Sequence, residues 1–411
     1  YEGSGDNEVT YVSRSDWTGT WPEEAITFSA SDEIMLADLA SNKEIVEEED
    51  VEMPTYGADN GFSLIMLRST DEEEISFDDE RWDSLLDQMT FEEQSLLVTN
   101  AVYGTSGISS IGLPATTAND GPTGVVSSNE NLSFPSEGIW ASTFNLDLIS
   151  KIGDALAEDA LDAGCEGMYL PGVNIHRTAF GGRAHEYFSE DPYLSGVAAE
   201  AEILALQNKG VIPYVKHMAF NDEEDNRNGI CIWLNEQSAR EIYLKPFEYA
   251  VSPSKGNAHA VMSGFNRVGC LWVSASDALI NGILRDEFGF DGIVLTDMAS
   301  GNGALYMVYD DGFMNGTDLF LGTGSEDALA DYSSSATFAN QIREACHRIL
   351  YVMANYSSSM NGISSTSKIV RVATWWETLL RVLVAVFAAL TVGSAAAMAV
   401  DYRKRRKTGA K

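Results

Sequence analysis

Between residues 82 and 354 the chain alternates segments of helical period with short apolar runs, a pattern that points to a parallel sheet clothed in helices. Helices are predicted over 82–99, 146–163, 194–209, 234–251, 275–288 and 339–354. Strands are predicted between them, at 114–119, 167–170, 211–215, 258–263, 292–296 and 318–321. Two architectures alternate in this way. A doubly wound dinucleotide-binding sheet needs a G-x-G-x-x-G turn after its first strand, and none stands there, so the expected fold is α/β of the TIM-type (β/α)8 barrel kind. The 411 residues, 45% of them hydrophobic, suffice for one such core with material left at both ends.

The flanking material divides by composition. Residues 382–400 carry no charge, and at about 1.5 Å per helical residue they span roughly the 30 Å of a bilayer's hydrocarbon core. Trp375 and Trp376 precede this run as an interfacial belt, and the basic cluster 403–407 (RKRRK) follows it, so the expected topology is a single-pass cell-membrane protein with a cytoplasmic C-terminus and an extracellular body. At the other end, 9–12 (VTYV) reads as a strand and 17–22 as a loop, with no core of their own. Tyr1 is not an initiator methionine and no signal peptide stands before the body, so the sequence reads as a fragment. The expected organisation is 1–80 as the tail or linker of an upstream domain, 81–358 as the barrel, 359–374 as a stalk, 375–402 as the transmembrane helix and 403–411 as a basic tail.

Charge excludes one class of partner. A formal net charge of −36 repels phosphate backbones, and no basic stripe accompanies the aromatics of the body, so nucleic acid is not expected as a ligand. The acidic runs at 47–50, 71–74 and 78–80 read as solvated surface. Cys165, Cys231, Cys270 and Cys346 lack the close spacing of a metal site, and neither a metal nor a cofactor is implied.

Chemistry is concentrated at two strand ends. The run 289–297 (GFDGIVLTD) is an apolar strand closing on Asp297, and 211–215 runs straight into Lys216 and His217. In a parallel barrel the strand C-termini open onto the active-site face, where a carboxylate can serve as a nucleophile. Plainer uses exist for the same residue types: a strand-end cap for Asp297, a structural ion pair for Lys216 and His217, and surface carboxylate partners for Arg183 and Arg227.

Several separated segments carry a resemblance: 85–90 (LLDQMT), 119–122 (NDGP), 171–177 (PGVNIHR), 181–183 (GGR), 186–192 (EYFSEDP), 215–217 (VKH), 262–266 (MSGFN) and 289–297. In this order and spacing, from about 82 to 356, the chain resembles the family 3 glycoside hydrolases, particularly their β-glucosidase-like branch. The resemblance implies that Asp297 is the nucleophile of a retaining mechanism, and that Asp120, Arg183, Lys216, His217 and Arg227 grip the hydroxyls of the non-reducing-end sugar. Those types suit the task, since a carboxylate accepts from two hydroxyls while cations supply charge-assisted donors, and the same cations are expected to lower the pKa of Asp297. By the same resemblance Glu186, Glu190 and Asp191 lie in a structural loop, and His176 and Arg177 fix a loop.

The pattern also departs from the family. Met298 stands where Trp commonly follows the nucleophile, Phe265 where Tyr commonly precedes the Asn of 262–266, and Val125 and Val126 near a position where many members carry Arg. Both Phe265 and Met298 therefore enter the expected substrate-binding set in altered form. The general acid/base, in this branch a Glu on a sandwich domain, has no counterpart in the segment after the barrel, so the resemblance implies an upstream domain that supplies it. The expected activity is exo-hydrolysis of β-D-glucosyl or similar residues from an oligosaccharide or β-glucoside. Two other readings stay open, a non-catalytic carbohydrate-binding surface protein and a β-N-acetylhexosaminidase. The latter uses a His-Asp pair in the loop after Lys-His, and 218–226 holds no second His.

Overall fold

The computed structural model describes residues 45–126, 132–225, 227, 230–299, 306–368 and 375–408. The chain separates into two units, residues 1–367 and 368–411. The expected strand at 9–12 and loop at 17–22 lie outside the described residues.

In the first unit, α1 (Arg81–Leu86) and α2 (Phe91–Thr99) precede the first strand, β1 (Ala118–Asp120). The single helix expected over 82–99 is therefore two. Thr90 takes the Glu93 amide on its side chain while Glu93 reaches back to the Thr90 amide, a reciprocal cap that starts a new helix in mid-segment. There follow α3 (Leu146–Asp162), β2 (Gly167–Tyr169), α4 (Pro192–Asn208), β3 (Ile212–Met218), β4 (Cys231–Ile232), α5 (Lys245–Val251), β5 (Ala260–Ser263), β6 (Arg267–Val268), β7 (Leu271–Trp272), β8 (Ile293–Leu295) and α6 (Ala336–Tyr356). Caps fall where the sequence offers them: Asn145 accepts the Leu148 amide ahead of α3, and Asp191 accepts those of Tyr193 and Leu194 ahead of α4, whose first residue is Pro192. The helix expected over 234–251 is interrupted by a π-helical turn, Ala239–Tyr243, and the one over 275–288 is π-helical across Ala278–Glu287.

All pairings in the main sheet are parallel, in the order β1-β2-β3-β5-β8. Its strands are buried almost throughout, which is why their sequences read as continuous apolar runs. The order follows the chain without the reversal of a doubly wound sheet, so the progression is that of a TIM-type α/β fold. The remaining strands, β4, β6 and β7, form a small separate sheet from the excursions after β3 and β5.

Among the described residues five strands pair in the main sheet, short of the eight expected, and the ring continues through irregular backbone. Leu319 bridges Leu295 of β8, and Phe320 donates its amide to the Val98 carbonyl at 2.8 Å. The Gly322 carbonyl accepts the Ala101 amide at 3.2 Å, and Ala118 of β1 donates to Tyr103 at 2.9 Å. The segment from Val98 to Tyr103 thus connects the last strand region back to the first, and a last-turn carbonyl of α2 gains a partner in doing so. Residues 62–75 belong to the same core, with Leu64, Leu67 and Ile75 buried in it.

In the second unit, α7 (Trp375–Thr408) is long and apolar enough to cross a membrane, and its apolar side chains, among them Leu380, Val384, Phe387 and Val392, are exposed.

Candidate active site

The C-terminal ends of β1, β3 and β8 bring Asp120, Lys216, His217 and Asp297 together. Successive side chains on a regular strand face opposite ways, yet both Lys216 and His217 reach this site. The register between β3 and β5 supplies the reason. Lys216 pairs with Met262 and Met218 with Ser263, so His217 is the extra residue of a bulge that re-aims its side chain. Asn174 holds the bulge, accepting the His217 amide at 2.7 Å and donating to the His217 carbonyl at 3.1 Å.

One wall of the site is a chain of alternating charges. Lys216 Nζ lies 3.9 Å from Asp120 Oδ1 and 3.0 Å from Glu186 Oε2. Arg183 bonds the other oxygen of Glu186 through Nε, and its Nη1 lies 3.8 Å from Glu224 Oε1. Arg227 Nη1 then donates to Glu224 Oε2 at 3.1 Å, with its guanidinium 4.4 Å above the Phe265 ring. Burial alone would raise the Glu186 carboxyl, but Lys216 and Arg183 overcome it and hold that group at about 2. Glu186 is thus an obligate anion that fixes two cations, a role the motif reading assigned only to a structural loop. Close packing is required here. Gly172, beside Lys216 in the sheet, has no room for a side chain, since a Cβ would stand 2.2 Å from the Glu186 carbonyl oxygen.

Asp297 is held differently. Its Oδ1 accepts the Met298 amide at 2.7 Å, whereas Oδ2 is buried with no hydrogen-bond partner among the described residues. His217 Nε2 lies 3.5 Å from that oxygen. Burial is the largest influence on Asp297 and raises its pKa to about 6, against the opposing pull of Arg183, the Met298 amide, Arg227 and Lys216. The expectation that the cations would lower it is corrected: they limit the rise, and desolvation outweighs them. His217 also departs from expectation. Burial first, then Arg183, Lys216 and Arg227, push its pKa well below the ordinary value, so it is a neutral imidazole rather than a charge-assisted donor.

The contacts above link Asp120, Arg183, Lys216 and Arg227 in one chain of charges and set His217 beside Asp297, whereas Asp191 caps α4. Asp120 is half-exposed at the mouth of the site, Phe265 is buried beneath Arg227, and Met298 contributes its backbone amide and packs on the core. Sequence reasoning missed the roles of Glu186, Glu224, Asn174 and Tyr187. For Glu186 and Glu224 a signal existed, since each stands three residues from an arginine, Arg183 and Arg227. Asn174 and Tyr187 meet His217 across long sequence separations that no local spacing reveals. Among the described residues no cluster of His, Cys, Asp or Glu is arranged to hold a metal.

Strand order and strand-end chemistry together define a TIM-type α/β domain with a buried acid on its functional face. Residues 84–350 match the glycosyl hydrolase family 3 N-terminal domain, and the chain belongs to that family. It is 37% identical over 222 residues to a β-glucosidase of Rhizobium radiobacter, covering 52% of this chain and 27% of that protein. To β-glucosidase B of Emericella nidulans it is 33% identical over 290 residues, covering 68% and 34%. Among solved structures, β-glucosidase 3B from Thermotoga neapolitana in complex with glycerol superposes with a TM-score of 0.60 at 28% identity, over 70% of this chain and 44% of that one. The GH3 β-glucosidase of Bifidobacterium adolescentis gives 0.61 at 28% identity, over 69% and 42%. The chain spans about a third or less of the length of these two curated relatives.

Proposed function

We propose that this chain is the nucleophile-bearing barrel of a retaining exo-β-glucosidase anchored to a membrane. The observation that carries the proposal is the Asp297 carboxylate, steadied through Oδ1 by the Met298 amide while Oδ2 has no hydrogen-bond partner among the described residues. In the reaction, Oδ2 bonds to the anomeric carbon as the bond to the leaving oxygen breaks, and water then releases the sugar from the ester. Lys216 has three N–H donors, and pairing with Glu186 leaves capacity for a hydroxyl, while the half-exposed carboxylate of Asp120 accepts from neighbouring hydroxyls. The acid that protonates the leaving oxygen is a Glu contributed by a domain outside the barrel, and the greater length of the relatives leaves room for such a domain.

The β-glucosidase names of the relatives support glucose as the sugar, and α7 supports the anchor. Its uncharged stretch ends at a basic cluster that the positive-inside rule assigns to the cytoplasm, leaving the barrel outside. A slow 2-deoxy-2-fluoro-glucoside is expected to label the full-length protein on Asp297, as read by peptide mass mapping. Asp297→Ala is expected to lower kcat by several orders of magnitude. A label on another residue, or near-normal turnover in that variant, overturns the assignment.

A further inference from the structure

Behind Asp297, three side chains form a connected set that the reaction above does not use: His217, Tyr187 and Asn221, all buried. Tyr187 Oη lies 3.4 Å from His217 Nδ1 and donates to the backbone carbonyl of Asn221 at 3.2 Å. It also accepts from Asn221 Nδ2 at 3.3 Å. The orientation of that amide is fixed independently, because its nitrogen also donates to Glu224 Oε1 at 3.2 Å, and a carboxylate paired with two arginines only accepts.

A phenol has one proton and two acceptor positions. The proton of Tyr187 goes to the Asn221 carbonyl and one acceptor position is taken by the Asn221 amide, so toward His217 only an acceptor remains. The imidazole carries a single ring proton when neutral, and that proton must then sit on Nδ1. We propose that Tyr187 is a positioning residue that fixes His217 in the Nδ1–H tautomer, so that a bare Nε2 stands beside Asp297 and accepts a hydrogen bond from a sugar hydroxyl. With Nε2 bare, it and Asp297 Oδ2 at 3.5 Å are two acceptors facing each other, which accounts for the missing hydrogen bond between them. A sugar hydroxyl placed there has one proton to give, and giving it to Nε2 leaves Oδ2 for the anomeric carbon. The pair therefore selects a ligand with a donating hydroxyl at this position over an ether.

The acceptor role toward sugar rests on the glycosidase reading, whereas the tautomer does not, and the test separates them. Long-range proton–nitrogen correlation on the 15N-histidine full chain reads the tautomer of each of the 5 histidines, with His217→Gln used to assign the signal. The expected wild-type pattern at neutral pH is a protonated Nδ1 and a bare Nε2, and Tyr187→Phe is expected to release His217 to the Nε2–H form or to a mixture. A wild-type Nε2–H pattern, or a tautomer unchanged by Tyr187→Phe, overturns the proposal. The wild-type spectrum decides even where the variant folds poorly. Failure of fluorosugar labelling with the Nδ1–H pattern intact would sink the glycosidase reading alone.

Discussion

Asp297 and Asp318 are both buried aspartates beside β8, one just past its C-terminal end and one on the neighbouring segment against Val294, and they are treated in opposite ways. Asp318, fully buried, takes Arg285 Nη2 at 2.7 Å, Arg348 Nη1 at 3.0 Å and the Val294 amide at 2.8 Å. Asp297 at the C-terminal tip has one backbone amide and an oxygen left over. Buried charge is tolerated when its lone pairs are filled, and a site that leaves one unfilled stores reactivity at the expense of stability. The base of the strand is thus built for holding and the tip for reacting, which is the division of labour expected of an α/β barrel's two faces.

Stability measurements should break or sharpen that contrast most directly. Asp318→Ala leaves Arg285 and Arg348 without their shared anion and is expected to cost about 3–5 kcal/mol in denaturant unfolding. Asp297→Ala is expected to leave the unfolding midpoint unchanged or to raise it, since the substitution removes a poorly solvated charge. Equal losses at both positions would erase the distinction.

A second contrast is in pH. The nucleophile must be ionised, and burial places Asp297 at about 6, so kcat/KM is expected to fall about tenfold per unit as the pH drops below that value. Burial raises the Asp297 pKa, and Arg183, Arg227 and Lys216 are the charges that pull against that rise. An acid limb near the ordinary carboxylate value would show that the site is wetter than its packing implies.

The smallest effect tests whether an unfilled carboxyl is enough by itself to mark a reactive site. Glu202 on α4 is buried with both oxygens unpartnered among the described residues, and burial raises it to about 8. It lies on a helix rather than at a strand tip, so its expected signature is in folding, not catalysis. A group whose folded pKa is raised contributes stability that is fully present below the unfolded value of about 4.3 and is lost as pH rises through the folded one. Glu202→Gln is therefore expected to flatten the fall in urea midpoint between about pH 5 and about pH 9 while leaving kcat unchanged.

Much of this was legible in the sequence, for identifiable reasons. Buried parallel strands read as apolar runs, so β2, β3, β5 and β8 fell within or close to their expected spans, and the acid closing 289–297 announced itself. Thr90 and Glu93 form a capping box visible in the letters, which the helix expected over 82–99 overran. Other features lie beyond local reading. The bulge at His217 depends on pairing with β5, and the closure through 98–103 uses backbone groups of no distinctive sequence. The raised pKa of Asp297 depends on how much water the fold removes, which residue types alone do not say: Arg183 and Lys216 pull it down as expected, His217 is no cation, and desolvation outweighs them.

The three donors on Asp318 act at a distance from the site. Asp318, pinned by two arginines, holds β8 through the Val294 amide, so the strand behaves as a short beam that carries Asp297 three residues past this support. For such a beam, stiffness at the support limits wander at the tip, and displacements well under an ångström decide whether an attacking oxygen lines up. Conservative changes at Asp318, Arg285 or Arg348 that leave the protein folded would then loosen the aim of an oxygen they never touch.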